Sequence, residues 1–292
     1  MSLLDQFSDI TKSDEPMAQY TWLKVGGPAQ WFIEPRNLDE LEAVVRACFA
    51  EGIPVRLLGG GSNILIRDEG VSGAVIRLAS DAFRRVSVEG TTVKAQGAAV
   101  LSNVISESVK AGLAGLETLV GIPGTIGGAV RNNAGGRHGE VGQFVKSVGV
   151  MTIAGDRFVR QGDELSFDYR FSSINELVIT DVTLQLVAED ADEVARRMHK
   201  LWVLKKSTQP LSFQSAGCIF KNPRGLSAGS MIEQAGLKGT RVGKAEVSDR
   251  HGNFIVTYEG ATAKDVLNLI DLVKARVNEV HSISLETEIQ IW

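Results

Sequence analysis

Cysteine is scarce in this 292-residue chain, with Cys48 and Cys218 the only two. Two cysteines exclude a disulfide-dense secreted scaffold and a multi-cysteine zinc or iron–sulfur centre. The four histidines, His138, His199, His251 and His281, show neither HxxxH nor HxH spacing. A histidine metal site is therefore unsupported, and no metal is expected. Basic residues are not in excess: 31 Lys and Arg stand against 35 Asp and Glu, a net charge of −4. Sequence-independent nucleic-acid binding rests on clustered Lys and Arg, so no nucleic-acid partner is expected. No apolar run approaches the ~18 residues of a membrane span, so no membrane partner is expected. The opening MSLLDQFSDITKSDEP is acidic early and has no basic segment ahead of an apolar core, unlike a secretory signal. The cytoplasm is the expected location.

Hydrophobic residues make up 43% and charged residues 23%, the balance of an ordinary globular protein. The length suggests about two domains on a prior of ~150 residues each. Glycine is unevenly spread, with eighteen of the 31 between Gly52 and Gly142. Because glycine permits positive φ and close backbone approach, such a stretch suggests tight turns around a ligand.

Apolar spacing gives the elements. Trp31–Glu34 reads as a short strand, and Leu41, Val44, Val45 and Cys48 fall at helical spacing ahead of Gly52, a residue suited to the position past a helix end. Val55–Leu58, Ile64–Ile66 and Ala74–Leu78 read as strands, and RRVSVEGTTVKAQG as a hairpin turning at Glu89-Gly90. LSNVISESVKAG reads as an amphipathic helix, whereas LVGIPGTIGGAVRNNAGG is too glycine-rich to be regular throughout. Strands resume near Ser147–Ile153 and Glu176–Leu186, and Asp190 to Lys206 reads as a helix, acidic at its start and basic at its end, stopped by Ser207–Pro210. A boundary falls near residues 195–205. Beyond it come a short strand at Cys218–Phe220, a hairpin near Ala245–Val256, a helix opened by Thr262 with Asp265 three residues on, and the alternating ISLETEIQI. The expected class is mixed α+β, with a glycine-rich N-terminal part and a C-terminal α+β lobe.

Gly59-Gly60-Gly61-Ser62-Asn63 follows an apolar strand. Consecutive backbone N–H groups in such a turn form an anion-binding concavity, so the loop suits phosphate; a plain hairpin turn is the alternative. It is not a Walker loop, having no Lys-Ser or Lys-Thr, nor a Rossmann fingerprint, whose third glycine position is Ile64 here. A second loop, Gly121 to Ala129, lies about sixty residues on. Two such loops suit the two phosphates of one dinucleotide.

The motifs TWLKVGGPA (Thr21–Ala29), RLLGGGSNILI (Arg56–Ile66), GIPGTIGGAVRNNAG (Gly121–Gly135), FDYRFS (Phe167–Ser172), SAGCIFKNP (Ser215–Pro223) and LETEI (Leu285–Ile289) resemble, in joint order and spacing, the UDP-N-acetylenolpyruvoylglucosamine reductase (MurB) family. The resemblance runs from about Thr21 to Ile291. It implies a bicyclic FAD-binding module of vanillyl-alcohol-oxidase type, built of two α+β subdomains, and a C-terminal α+β substrate-binding domain. The implied domains are 1–195 for FAD, with subdomains of about 1–78 and 79–195, and 196–292 for substrate. NADPH would reduce FAD, and the flavin would reduce the enolpyruvyl ether of the UDP-sugar to UDP-N-acetylmuramate for peptidoglycan. The FAD contacts implied are Gly59, Gly60, Gly61, Ser62, Asn63, Gly124, Thr125, Gly127, Gly128 and Ala129. Some relatives of this fold tether FAD through His or Cys. The first loop has neither, and His138 after the second reads as a surface residue, so non-covalent FAD is expected.

Three residues match the family's chemistry. Arg170 corresponds to the arginine that steadies charge developing on the substrate carboxylate, a task suited to a planar, permanent cation; taken alone it reads as an exposed strand arginine. Glu288 corresponds to the family's C-terminal glutamate; taken alone, Glu286 and Glu288 share a solvent face. Cys218 stands where many members carry a proton-donating serine; taken alone it reads as a small core residue. A thiol, with a reference pKa of ~8.5, is a far stronger acid than an aliphatic hydroxyl. Lys221 and Asn222 match positions near the UDP diphosphate, with a solvated turn as the alternative for Lys221. A lysine many members carry before Gln-Pro is Thr208 here, with Lys205 and Lys206 upstream. The three tyrosines, Tyr20, Tyr169 and Tyr258, all fall outside the 47 residues between Arg170 and Cys218, which matches the shorter subtype lacking a tyrosine lid. A monomer is expected.

Overall fold

The computed structural model describes residues 6–292 and divides into two units, each assembled from separate stretches of chain. The first takes residues up to Ser13, Trp31–Gly60 and Ser72–Leu204; the second takes Asp14–Gln30, Gly61–Val71 and Lys205–Trp292. Neither unit is a continuous stretch of chain.

The first unit holds one sheet whole and most of another. One has four strands in the order Thr11–Pro16, Pro28–Ile33, Val71–Arg77, Val55–Leu58, the last two parallel. Helix α1 (Leu38–Ala50) lies on it, with Leu41, Val44, Val45 and Cys48 all buried alongside Ala74 and Ile76. Burial of each Leu or Val contributes ~1.5–3 kcal/mol, so this face holds the helix in place. The Asn37 side chain accepts from Glu40 N at 2.9 Å to start the helix, and Gly52 leaves it at φ +66°, the left-handed conformation that glycine adopts without penalty. The second sheet is antiparallel, in the order Arg157–Gln161, Val145–Met151, Val178–Gln185, Thr92–Gln96, Val86–Glu89. Helix α2 (Leu101–Lys110) and the short α3 (Ile126–Arg131) pack with it around Val93, Val104, Ile126, Val130, Val148 and Val182. α3 lies inside the segment read as irregular. Its two glycines are accommodated because the Thr125 side chain caps it, accepting from Gly128 N at 3.3 Å, and because Gly127 rests against the Gly97 carbonyl. Helix α4 (Ala191–Thr208) runs through Ser207 before Pro210 ends the run.

The second unit packs α5 (Ala228–Gln234) and α6 (Ala263–His281) with a three-stranded sheet, Arg241–Val242, Ala245–Val247 and Ile255–Thr257, around Ile219, Phe220, Ile232, Ile270 and Val273. The segment read as a strand at Cys218–Phe220 forms single bridges rather than a ladder, Cys218 to Phe254 and Phe220 to Thr287. ISLETEIQI likewise keeps only Gln290–Ile291 as a strand, parallel to Ile64–Leu65. Among the described residues no helix is long and apolar enough to cross a membrane, and no cluster of His, Cys, Asp and Glu is placed to hold a metal ion.

The start of α6 ties this unit's separate stretches together. Thr262 and Asp265 form the capping box expected from their spacing. Asp68, far off in sequence, adds a second cap, its carboxylate accepting from Ala263 N at 2.8 Å and Lys264 N at 2.9 Å. Asp68→Ala should cost about 1–2 kcal/mol of stability, since it deletes a charged cap. Urea unfolding is expected to show a lower midpoint at unchanged slope.

Candidate active site

The two glycine turns meet backbone to backbone. The strand Val55–Leu58 delivers the chain to Gly59 and Gly60, both exposed. A Cβ placed on Gly60 would lie 2.7 Å from Gly124 Cα, and one on Gly59 would lie 3.0 Å from Thr125 Oγ1. Gly124 itself sits at φ +105°. The second turn is pinned to the sheet behind it: Leu101 N donates to Gly124 O at 3.0 Å, Ile126 N to Ala99 O at 2.9 Å and Gly127 N to Gly97 O at 2.9 Å. Gly128 and Ala129 then lie in α3. In the second unit, Gly61 has φ +65°, and a Cβ there would meet Tyr20 O at 2.0 Å. Within the first unit, the exposed Gly59–Gly60 turn beside Gly124 fits a dinucleotide diphosphate, which needs close approach to main-chain N–H groups.

Arg170 occupies a two-residue turn between the paired segments Phe167–Asp168 and Phe171–Ser172, with φ +55°. Its side chain is 14% exposed, so it is neither a strand residue nor a solvated one. Nη2 donates to Gly135 O at 2.9 Å, and the guanidinium lies 5.0 Å from the centre of the Tyr169 ring.

Cys218 and Glu288 lie in the second unit, on neighbouring segments. The backbone from Cys218 to Lys221 runs between residues 253–254 and 286–288. Ile219 N donates to Asn253 O at 2.9 Å, and Glu288 N donates to Ile219 O at 2.8 Å. Cys218 is half-buried. Asn253, itself buried, clamps Phe220 from both sides: its Oδ1 accepts from Phe220 N at 2.9 Å and its Nδ2 donates to Phe220 O at 2.8 Å. Asn63 joins the other flank, its Nδ2 donating to Glu288 O at 3.3 Å. Lys221 Nζ donates to Glu286 Oε1 at 2.6 Å. Asn222 Oδ1 accepts from Ala228 N at 3.0 Å, capping α5. Ser62 lies partly buried between Gly61 and Asn63. The structure thus brings Asn63, Cys218, Lys221 and Glu288 into one unit, while Arg170 belongs to the other. Asn253 escaped sequence reasoning, since a side-chain amide clamping distant backbone leaves no periodic signal. Its only trace was its place in the hairpin read near Ala245–Val256.

The glycine turns on a mixed α/β scaffold, together with the family match that follows, define the class, an FAD-binding flavoprotein. The FAD binding domain family matches residues 29–160, and the UDP-N-acetylenolpyruvoylglucosamine reductase C-terminal domain family matches residues 209–292. The UDP-N-acetylenolpyruvoylglucosamine reductase of Clostridium botulinum strain Hall is 40% identical over 293 residues, covering 98% of this chain and 95% of that protein. The crystal structure of UDP-N-acetylenolpyruvylglucosamine reductase (MurB) from Thermus caldophilus superposes with a TM-score of 0.83 at 40% identity, over 97% of this chain and 98% of that one. Wild-type Phl p 4.0202, a glucose dehydrogenase, shares the fold alone, with a TM-score of 0.51 at 15% identity over 65% of this chain and 44% of that one. The chain belongs to the UDP-N-acetylenolpyruvoylglucosamine reductase family.

Two outcomes follow from this geometry. Gly60→Ala should weaken FAD binding at least about tenfold in Kd, whereas Gly136→Ala, where a Cβ meets nothing within 4 Å, should leave it unchanged; flavin fluorescence titration of the apoprotein reads both. Burial, helped by the nearby Glu51 charge, pushes the Cys48 thiol up to about 11, so at pH 8 only about one part in a thousand is thiolate. Alkylation of the native protein at that pH should modify Cys218 and spare Cys48, as peptide mass spectrometry will show.

Proposed function

We propose that this protein reduces UDP-N-acetylenolpyruvoylglucosamine to UDP-N-acetylmuramate for peptidoglycan synthesis, with NADPH as reductant. Bound FAD supplies a two-electron carrier between NADPH and the enolpyruvyl group. Gly59, Gly60, Gly61, Ser62, Asn63, Gly124, Thr125, Gly127, Gly128 and Ala129 would hold it without a covalent bond. The rest of the chemistry falls to side chains. Hydride adds to the carbon beta to the substrate carboxylate, so negative charge grows on that carboxylate, and Arg170 stabilises it as a preorganised cation. The Cys218 thiol gives a proton to the alpha carbon and recovers it from solvent. Glu288 hydrogen-bonds the developing enolate and must be protonated to donate to it.

The observation that carries this reading is the bond from Glu288 N to Ile219 O. It lays the thiol-bearing and carboxyl-bearing segments side by side, although seventy residues of chain separate them. Lys221 and Asn222 bind the UDP moiety in this proposal. The Glu286 carboxylate is 71% exposed, and a solvated ion pair is worth only ~0–1 kcal/mol, so Lys221 exchanges it for diphosphate at little cost. NADPH and UDP-sugars are cytoplasmic solutes, so the proposed setting is the cytoplasm, and the proposed working unit is a monomer with FAD-binding (1–195) and substrate-binding (196–292) domains.

An anaerobic titration tests the proposal. The yellow holoenzyme should bleach with NADPH and regain its absorbance when the enolpyruvyl substrate is added. Cys218→Ser should keep substrate reduction within about tenfold of the parent, and Cys218→Ala should lose about 10²- to 10⁴-fold, as expected for removal of a general acid. Both variants should bleach with NADPH at the parental rate. Normal substrate reduction by Cys218→Ala would remove the thiol from the mechanism, and bleaching without recovery in the parent would remove the substrate.

A further inference from the structure

The stretch after α3 holds the Arg170 side chain from two directions. One hold is the Gly135 carbonyl already described. The other is a charge contact and not a hydrogen bond: Glu140 Oε1 lies 3.8 Å from Arg170 Nη1. Glu140 is itself fixed: its second oxygen, Oε2, accepts from Asn133 Nδ2 at 2.8 Å. The same Nδ2 donates to Asp168 O at 2.8 Å, two residues before Arg170, while Asn133 Oδ1 accepts from Gly142 N at 2.9 Å. Asn133 is 1% exposed and, at φ +43°, is also in the left-handed region. Both amide hydrogens and the oxygen of its side chain are therefore engaged, and it joins two points of backbone and one carboxylate into a frame.

We propose that Glu140 is a positioning residue for Arg170: locked by Asn133, its carboxylate sets the direction of the guanidinium and thereby the rate of substrate reduction. The inference rests on the assignment of Arg170 to the substrate carboxylate. An arginine side chain has several rotatable bonds, and a single hydrogen bond to one carbonyl leaves much of that freedom. A carboxylate tethered to the buried Asn133 narrows it by charge attraction. Because the guanidinium is planar, the hydrogen bond at Nη2 and the charge contact at Nη1 together define its plane and so the directions of its remaining N–H groups. The backbone adds to this. A non-glycine residue at φ +55° is in a disfavoured conformation, so the turn persists only because its surroundings determine it. Asn133 supplies part of that, tethering Asp168 and Glu140 through one nitrogen.

The countercharge has a second effect of opposite sign. Glu140 partly neutralises the cation that the substrate carboxylate meets on binding. Removing the charge while keeping shape and the Asn133 bond, as Glu140→Gln does, leaves a more mobile but more electropositive guanidinium. Orientation governs the transition state, and net charge governs ground-state attraction, so the two kinetic constants should part company. A residue that merely kept the loop folded would raise KM, loosen product binding and lower the melting temperature together.

The test uses the holoenzyme with Glu140→Gln, Glu140→Asp, Arg170→Ala and the Glu140→Gln/Arg170→Ala double variant. The Gln variant should slow substrate-dependent reoxidation about 10- to 100-fold, with KM for the UDP-sugar equal to the parent's or lower. Its bleaching by NADPH should stay within about twofold of the parent. Calorimetry should find the product, which also carries a carboxylate, bound at least as tightly as by the parent. Glu140→Asp keeps the charge but withdraws it by one methylene, and should fall between parent and Gln; it carries the test should the Gln variant fail to fold. In the Arg170→Ala background, Glu140→Gln should have no further effect. Parental reoxidation rates in both single Glu140 variants overturn the inference, as does a tenfold additional loss in the double variant. If Arg170→Ala itself reduces substrate normally, the assignment of Arg170 is at fault instead.

Discussion

The close approach of Gly60 to Gly124 is the constraint on which the proposed cofactor site depends. With only 2.7 Å available to a Cβ, neither turn tolerates a side chain at the contact. The turns come from different sheets, one following the parallel strand Val55–Leu58 and the other tied by main-chain bonds to Gly97, Ala99 and Leu101 beside the antiparallel sheet. Each sheet has its own core, one beneath α1 and the other beneath α2 and α3. The cores fix where the turns end, and the glycines let the ends touch. A diphosphate, bulky and fully charged, favours such bare peptide groups because they present N–H donors with no side chain to displace.

A second support operates in the other unit. Residues 218–221 make only single bridges to each neighbour, and short ladders are weak. Asn253 compensates, since its side-chain amide mimics a peptide group and satisfies both the N–H and the C=O of Phe220. Asn63 does the same on one side for Glu288. Asparagine amides thus stand in for missing sheet at the segments that carry Cys218 and Glu288. A buried amide bonded at both ends, as Asn253 is, confers geometric definition, because loss of either partner strands the other without water.

Where burial repeats with a regular period, the elements were legible in the residues. Leu41, Val44, Val45 and Cys48 marked α1, Val55–Leu58 was bounded correctly, and Thr262 with Asp265 announced α6. Legibility failed where order comes from side chains bonded to distant main chain. Nothing in SAGCIFKNP foretold that Asn253 would replace a strand partner, nor that Asn133 would join Asp168 to Glu140. Arg131 is a further case: its guanidinium donates to the carbonyls of Ile174 at 2.8 Å and Glu176 at 2.5 Å, binding the end of α3 to the segment after Ser172. The reading of Arg170 as an exposed strand residue went astray for the same reason, since a turn at positive φ and a side chain folded inward have no periodic signature. The ligand loops were legible as loops, and the family resemblance came from six motifs read jointly.

The two cations proposed to meet the substrate are held in contrasting ways, and the contrast matches the role proposed for each. The diphosphate is fully charged before and after reaction, so a cation meeting it supplies uniform binding and no acceleration. Lys221 suits that role: its partner is an exposed carboxylate on a flexible side chain, readily exchanged. The charge on the substrate carboxylate, by contrast, grows in the transition state, and a group that must swing into place at that moment forfeits part of what it gives. Arg170 is accordingly 14% exposed, bonded to a backbone carbonyl and set in a turn that strains its own φ. On the role proposed for Arg170, strain of about 1–2 kcal/mol at one residue is small beside the barrier lowering that an oriented cation would provide.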